Sequence, residues 1–443
     1  MKLKKKIFIG VGVVLVGGLG YGVNFGLEYA GIGSAYAAKT VCSDIFVSGR
    51  NFEDIKAEDL YAVSFATVKV DYENKSVTSN IYGIGEKTAI YRPGFGATLL
   101  NDGSAEELRK QSRPMVADTI QTKQEISHAS IPGEIDSVQL YDAINKSFIE
   151  TDSANIRRTR AIVVVYNGKI IAEKYAEKIT ENTPLIGWSM TKSVTNALVG
   201  ILVKDGKLDI YKPAPVDEWK NDERSKITID EMLRMSSGLD FEENYSKPCD
   251  ATRMLFVNKS AGLYAINCKL KDKPGSTYYY SSGTTNILQE IIRRQFSNYS
   301  NYLSFPYNRL FLKLGMKSAV MEPDASGTFI GSSFMYATAE DWAKFGQLYL
   351  QDGIWGGERI LPEGWVKYSA TESKNSGGRY AAHFWVNHID KEFPQDAFYA
   401  DGYEGQFVTV IPSKNAVIVR LGCSRGTPFN NFELVKSILK AWK

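Results

Sequence analysis

The 443-residue chain carries 53 Lys and Arg against 50 Asp and Glu, a net charge of +3, and is 44% hydrophobic and 23% charged. These values describe ordinary globular material, enough for one large domain plus an appendage, and they exclude a disordered or collagen-like chain and one built to coat nucleic acid. Three histidines (His128, His383, His388) without ligand spacing, and no Cys-x-x-Cys, argue against a zinc site; no phosphate-binding loop or dinucleotide fingerprint is present, so no metal or organic cofactor is expected.

The chain opens with Met1-Lys2-Leu3-Lys4-Lys5-Lys6 and an apolar run from Ile7 to Val23. A cationic start before such a run directs the following chain across a membrane while the lysines stay cytoplasmic. Residues 1–37 are therefore read as an uncleaved signal anchor, which places the remainder in a periplasmic or extracellular space. A cleaved signal peptide is the second reading, because Ala35-Tyr36-Ala37 has the small-x-small form of a cleavage site.

Residues 38–134 form a β-rich segment and connector. Cys42 to Arg50, Val63 to Val70 and Ser76 to Gly83 read as strand-forming, Arg92-Pro93-Gly94-Phe95-Gly96 as the turn before a last strand, and Asn101 to Glu125 as a polar connection. The segment either covers part of an active-site mouth or holds the next domain off the membrane; the sequence leaves both open. Four cysteines, an even number, agree with export. Cys249 and Cys268 bracket a short stretch and are expected to pair, which leaves Cys42 to tie the N-terminal segment to Cys423.

In residues 135–443 the first signal is Arg160-Ala161-Ile162-Val163-Val164-Val165-Tyr166-Asn167-Gly168-Lys169, a strand entering a hairpin. Pro184 to Trp188 then leads into Ser189-Met190-Thr191-Lys192 and an apolar helix stopped by Asp205-Gly206. This spacing places Ser189 at a helix N-terminus, where unpaired N–H groups and the dipole favour developing negative charge, and Lys192 one turn on along the same side. Burial would lower the lysine pKa toward that of a useful base. The bland alternative is an N-cap serine beside a solvated lysine.

Downstream, Pro274-Gly275-Ser276-Thr277-Tyr278-Tyr279-Tyr280-Ser281-Ser282 supplies a tyrosine and, two residues on, a hydroxyl. A phenol beside an ammonium can have its pKa lowered and relay a proton. The plainer reading is aromatic packing of a loop. Gly402-Tyr403-Glu404-Gly405-Gln406 precedes two strand-like runs, and its glycines allow close approach to a substrate, so that the Gln406 N–H would complete an oxyanion hole with that of Ser189. Gly187-Trp188-Ser189-Met190-Thr191 comes close to a G-x-S-x-G elbow but ends in threonine, and a triad through His383 or His388 would leave Lys192 unexplained.

Residues 135–443 resemble the serine β-lactamase-like and penicillin-binding-protein-like hydrolases, specifically the branch near class C β-lactamases, carboxylesterases and 6-aminohexanoate-dimer (nylon-oligomer) hydrolases. The likeness rests on the blocks above together with Ile227 to Leu239, Ala337 to Leu348 and Ile360 to Trp365. It implies an α/β, transpeptidase-like fold, an antiparallel sheet flanked by helices with a mostly helical region, using strands at 161–165, 170–175, 406–411 and 416–421. By position it makes Ser189 the acylated nucleophile, Lys192 its base partner, Tyr280 the proton relay and Ser282 the second-motif hydroxyl.

Where class C enzymes show Tyr-x-Asn and Lys-Thr-Gly, this chain reads Tyr280-Ser281-Ser282 and Tyr403-Glu404-Gly405. The third-motif lysine is missing, and Glu404 would repel a carboxylate there, so β-lactams are disfavoured in favour of a small neutral or amine-bearing amide or ester. The expectation is an exported serine hydrolase working through an acyl-enzyme on Ser189. A DD-peptidase acting on cell-wall peptides and a membrane-tethered, non-catalytic binding protein are the alternatives. No nucleic-acid partner is expected; the residues do not indicate an oligomeric state.

Overall fold

The computed structural model describes residues 2–111, 122–150 and 152–443, with side chains from residue 24 onward. The elements that position the site are, in chain order, α1 (Lys2–Phe46), β1 (Ala66–Asp71), β2 (Ser76–Ile81), β3 (Ile84–Arg92), β4 (Gly96–Leu99), α2 (Ser137–Lys146), β5 (Thr159–Tyr166), β6 (Lys169–Tyr175), α3 (Met190–Lys204), α4 (Ser282–Arg294), α5 (Ala339–Leu350), β7 (Trp385–Val386), β8 (Phe398–Gly402), β9 (Gln406–Ile411), β10 (Ala416–Gly422) and α6 (Asn431–Leu439).

Six strands form one antiparallel sheet in the order β7-β8-β9-β10-β5-β6. The four strands read from the sequence all lie in it. Successive residues alternate between its faces. Val163, Val165, Val408, Val417 and Val419 join the core that holds α3 and α5, whereas Ile162, Val164 and Ile418 pack with Leu140, Ile144, Leu434 and Ile438 of α2 and α6. Covering both faces explains why these strands read as nearly unbroken apolar runs.

α3 is buried from Met190 through Leu202, apolar around most of its circumference as a helix inside a core must be. Its polar side chains are satisfied internally. Asn196 Nδ2 donates to Ala382 O, while its Oδ1 accepts from Tyr349 Oη, Trp365 Nε1 and Ser369 Oγ. Breaking such a satisfied buried amide costs about 1–3 kcal/mol for each stranded group, so the helix is rigidly seated.

The N-terminal part agrees with the sequence reading in its β-rich element and differs from it at residues 42–46 and at Ala35 and Ala37. Residues 42–46, read as strand-forming, are the last turn of α1. The β-rich element is a separate four-stranded antiparallel sheet, β1-β2-β3-β4, against which α1 packs. Ala35 and Ala37, read as a cleavage signature, are fully buried along with Ser34, Ala38, Val41 and Cys42. That spacing of three and four residues makes one helix face, and its small side chains let the helix lie close to the sheet: a Cβ on Gly33 would sit 2.6 Å from Ile81 Cδ1. Among the described residues no helix is long and apolar enough to cross a membrane; the Ile7–Val23 run lies in the part of α1 whose side chains are outside the described residues. Part of the polar connector, residues 112–121, is likewise outside them.

The expected disulfides are not formed: Cys42, Cys249, Cys268 and Cys423 are all free thiols. Each serves a local purpose instead. Cys249 is the N-cap of the helix Asp250–Phe256, Cys268 Sγ lies 3.8 Å from Tyr264 O, Cys42 is in the α1 stripe, and Cys423 Sγ donates to Glu58 O at 3.5 Å. Burial pushes the Cys268 and Cys423 thiols up to about 12 and Cys42 higher still, which keeps them protonated and unreactive.

Candidate active site

Gly187, Trp188 and Ser189 make the turn into α3. Gly187 is obligatory, since a Cβ there would collide with the Trp342 ring. Trp188 holds φ at +46°, a left-handed conformation that costs a bulky side chain about 1–3 kcal/mol. Aromatic packing holds it: Tyr36 stacks on Trp188, and Phe334 and Tyr403 contact it at centroid separations of 5.9 Å each. Ser189 follows as the N-cap of α3, so its N–H lies outside the helix ladder and its side chain caps nothing.

Lys192 Nζ lies 3.0 Å from Ser189 Oγ, 3.1 Å from Ser282 Oγ and 3.0 Å from Ser332 O. These contacts use all three ammonium donors, and the side chain is 1% exposed. Burial lowers the lysine pKa to about 8, against the opposing pull of Glu243 and Asp401. At neutral to mildly alkaline pH a substantial fraction is thus the free amine, able to accept the Ser189 proton.

Tyr280 is hydrogen-bonded to Ser189, and Lys192 Nζ stands over its ring, 4.8 Å from the centroid. The expected lowering of the phenol pKa is corrected. Burial raises it well above 10, because the cation faces the ring rather than the hydroxyl. Tyr280 therefore enters any reaction as a neutral phenol. Ser282 begins α4, fully buried, and donates to Glu243 Oε1 at 2.6 Å; its N–H reaches Glu243 Oε2 at 2.9 Å, and Tyr245 Oη lies 3.2 Å from its Oγ. Glu243 and Tyr245 were invisible to the sequence reading. They sit in an irregular loop, and only the fold carries them to Ser282.

The third motif departs from its expected register. Glu404 is turned away from Lys192, into a cluster with Asp59, Arg160, Cys423 and Arg425, where burial lifts its carboxyl to about 7. Gln406 is the register partner of Gly402, and its side chain is spent on Tyr403 O, Gly422 O and Gly422 N–H. Gly405 packs on Arg420 and Phe429. The segment that meets the nucleophile turn is Gly402-Tyr403: a Cβ on Gly402 would collide with Gly187 O, and Tyr403, 61% exposed, lays its ring edge-on to Trp188. The carboxylate that acts on Lys192 from this strand is Asp401.

His383 does not approach Ser189. It is buried with Nδ1 3.0 Å from Lys192 O and Nε2 3.2 Å from Thr285 Oγ1, and burial lowers its pKa to about 3. His388 pairs with Glu372. His128, Glu173 and Glu340 bring one ligand atom each to within 4.8 Å of one another on the surface, a group assembled from three distant segments.

A family model described as Beta-lactamase matches residues 147–439. The chain belongs to the beta-lactamase family. A 6-aminohexanoate-dimer hydrolase from Paenarthrobacter ureafaciens is 24% identical over 292 residues, which cover 59% of this chain and 72% of that protein. A structure described as a 6-aminohexanoate-dimer hydrolase from Bacillus anthracis superposes with a TM-score of 0.58 at 22% identity, covering 73% of this chain and 88% of the other. A class C beta-lactamase gives 0.53 at 14% identity, covering 69% and 96%. The protein is a serine hydrolase related to these enzymes by family, and its six-stranded sheet with flanking helices is the β-lactamase/transpeptidase-like α/β fold. The matched region begins after α1 and β1 to β4, so Tyr36, which stacks on Trp188, lies outside it.

Proposed function

We propose that the protein hydrolyses a small amide or ester through an acyl-enzyme on Ser189. The observation that carries this reading is the 3.0 Å contact between Ser189 Oγ and the buried amine of Lys192, whose pKa is brought to about 8. Lys192 takes the hydroxyl proton as Oγ attacks the carbonyl carbon. The oxyanion is received by the N–H groups of Ser189 and Tyr403, the latter replacing Gln406 because Gly402-Tyr403 is the segment that abuts the nucleophile turn. Tyr280, a neutral phenol bonded to Ser189, passes the proton to the leaving group. Water then attacks the acyl carbon, with Lys192 again as base, and Ser189 is regenerated. Glu243 fixes Ser282, which in turn holds Lys192 in place.

A cell-wall peptidase is the second reading. It fits less well, because stem peptides and β-lactams present a carboxylate, whereas residues 400–406 offer no cation and Asp401 is the charged group that acts on Lys192 from this strand. The N-terminal run argues for a membrane-anchored protein with its catalytic domain outside the cytoplasm, a reading supported by Lys2 to Val23 alone. Kinetics with p-nitrophenyl acetate and a penicillin separate the two activities. Ester turnover without a lasting penicilloyl adduct supports the hydrolase; a stable adduct supports the peptidase.

A further inference from the structure

Followed back toward its start, α1 leaves the folded body at Ala30, which is buried, and residues 24–27 are exposed. Phe25 and Tyr29 share one face of the helix and Leu27 lies across from both, yet each of the three is exposed by 41–47%. A surface helix of a globular domain keeps such residues on the face it buries. Here they flank the point at which the same helix runs on into the apolar sequence Ile7 to Val23.

The β2–β3 hairpin ends at this point. The backbone of Gly85 lies directly on the helix, where a Cβ would come within 2.7 Å of Gly31 N, so the hairpin end is fixed beside the exit. Its turn holds Tyr82 at φ +51° and Gly83 at +77°, a pair of left-handed positions ordinarily given to Asn-Gly. A bulky ring in that conformation is strained, and packing does not ask for it: Tyr82 is 79% exposed. Its ring stacks on Phe65 at 5.9 Å between centroids, and Phe65 and Ile84 are themselves exposed.

We propose that Phe65, Tyr82 and Ile84, with Phe25, Leu27 and Tyr29, form a surface that rests in the headgroup layer of a phospholipid bilayer and orients the catalytic domain on it. This rests on the reading of the N-terminal run as a membrane anchor and adds a second, folded contact. The lengths agree. From Val23 to Ala30 a helix rises about 10 Å, and the headgroup layer on each side of the hydrocarbon core is about 5–8 Å deep. With the apolar run in the core, residues 24–29 cross the headgroups and the hairpin end meets their outer edge, within reach of a tyrosine. Tyrosine suits that depth, because its ring enters the acyl boundary while its hydroxyl stays among polar groups.

The test places an environment-sensitive fluorophore on full-length Tyr82→Cys, Phe65→Cys, Ile84→Cys, Val14→Cys and Val138→Cys, in vesicles of phosphatidylcholine with about one quarter phosphatidylglycerol. The four native thiols are free, so the unsubstituted protein supplies the background, and Val138, exposed on α2, is the control. Quenching is read from a lipid nitroxide near the headgroup end of the acyl chain and from aqueous iodide. Labels at 82, 65 and 84 should be quenched by the nitroxide about fivefold more than the label at 138, and shielded from iodide about threefold. A label at 14 quenched by lipid while those at 82, 65 and 84 behave like 138 would overturn the surface and leave the anchor standing. A label at 14 open to iodide would remove the anchor, and the surface with it. Shielding from iodide at 82 and 65 without quenching by lipid would assign the patch to a second copy of the chain and equally overturn the proposal.

Discussion

The ring of Tyr36, in the N-terminal helix, lies parallel to that of Trp188, 6.4 Å between centroids with an interplanar angle of 3°. Trp188 immediately precedes Ser189 and carries the strained backbone of the nucleophile turn. A segment outside the family-matched region thus bears directly on the reactive serine. Tyr36 also meets Phe256 edge-on and donates its hydroxyl to Asp59 O, so its position is fixed from three sides. Removing the ring with Tyr36→Ala forfeits a stack of about 0.5–1.5 kcal/mol and frees Trp188 to relax. We expect kcat/KM for p-nitrophenyl acetate to fall about tenfold, with Tyr36→Phe close to wild type. Equal loss in both variants would place the effect in the Asp59 hydrogen bond instead.

The same helix sets a boundary for truncation. A chain beginning at residue 24 retains the buried stripe from Ala30 to Cys42, together with the Glu28–Arg253 and Lys39–Glu322 ion pairs. A chain beginning at residue 38 loses Ser34, Ala35, Tyr36 and Ala37 from the interface with β2 and β3. The first should melt within a few degrees of the full chain. The second should melt far lower or fail to fold, and thermal denaturation of the two distinguishes an integral helix from a dispensable leader.

The pH dependence follows from Lys192. The base must be the neutral amine, so kcat/KM should rise as pH passes through about 8 and level off above it. Glu243 favours the charged lysine, and Glu243→Gln removes that support; the rising limb should therefore move to lower pH, while the loosening of Ser282 lowers the plateau. A limb that stays in place would show that Glu243 acts only by holding Ser282.

Free thiols are a further expectation. Thiol titration of the unfolded protein under non-reducing conditions should count four, and added reductant should leave the melting temperature unchanged. Two or fewer thiols would contradict the structure.

Four strands of the six-stranded sheet and the helix after Ser189 were legible because burial on both faces writes long apolar runs, and because Ser189, Lys192, Tyr280 and Ser282 lie close to helix starts with short-range signatures; β7 and β8, short or broken by Asp401 and Gly402, were not. The N-terminal helix was partly misread. Its core face is made of Ala, Ser and Gly, small residues that pack closely but raise no hydrophobic signal and resemble a processing site. Glu243, Tyr245 and Asp401 escaped because tertiary contacts bring them to the site, and no spacing within one element marks them. The register at Gly402 was misjudged by attending to Gly405, whose role is to pack on Arg420, whereas Gly402 meets Gly187.

The central claim is that Ser189 is the residue acylated. Intact-mass spectrometry of the full-length protein treated with a fluorophosphonate, in the wild type and in Ser189→Ala, tests it most directly. The account predicts a single adduct in the wild type, mapped by peptide analysis to Ser189, and none in a folded Ser189→Ala variant. An adduct that persists in the variant, or a wild type that takes none while its fold is intact, would contradict it.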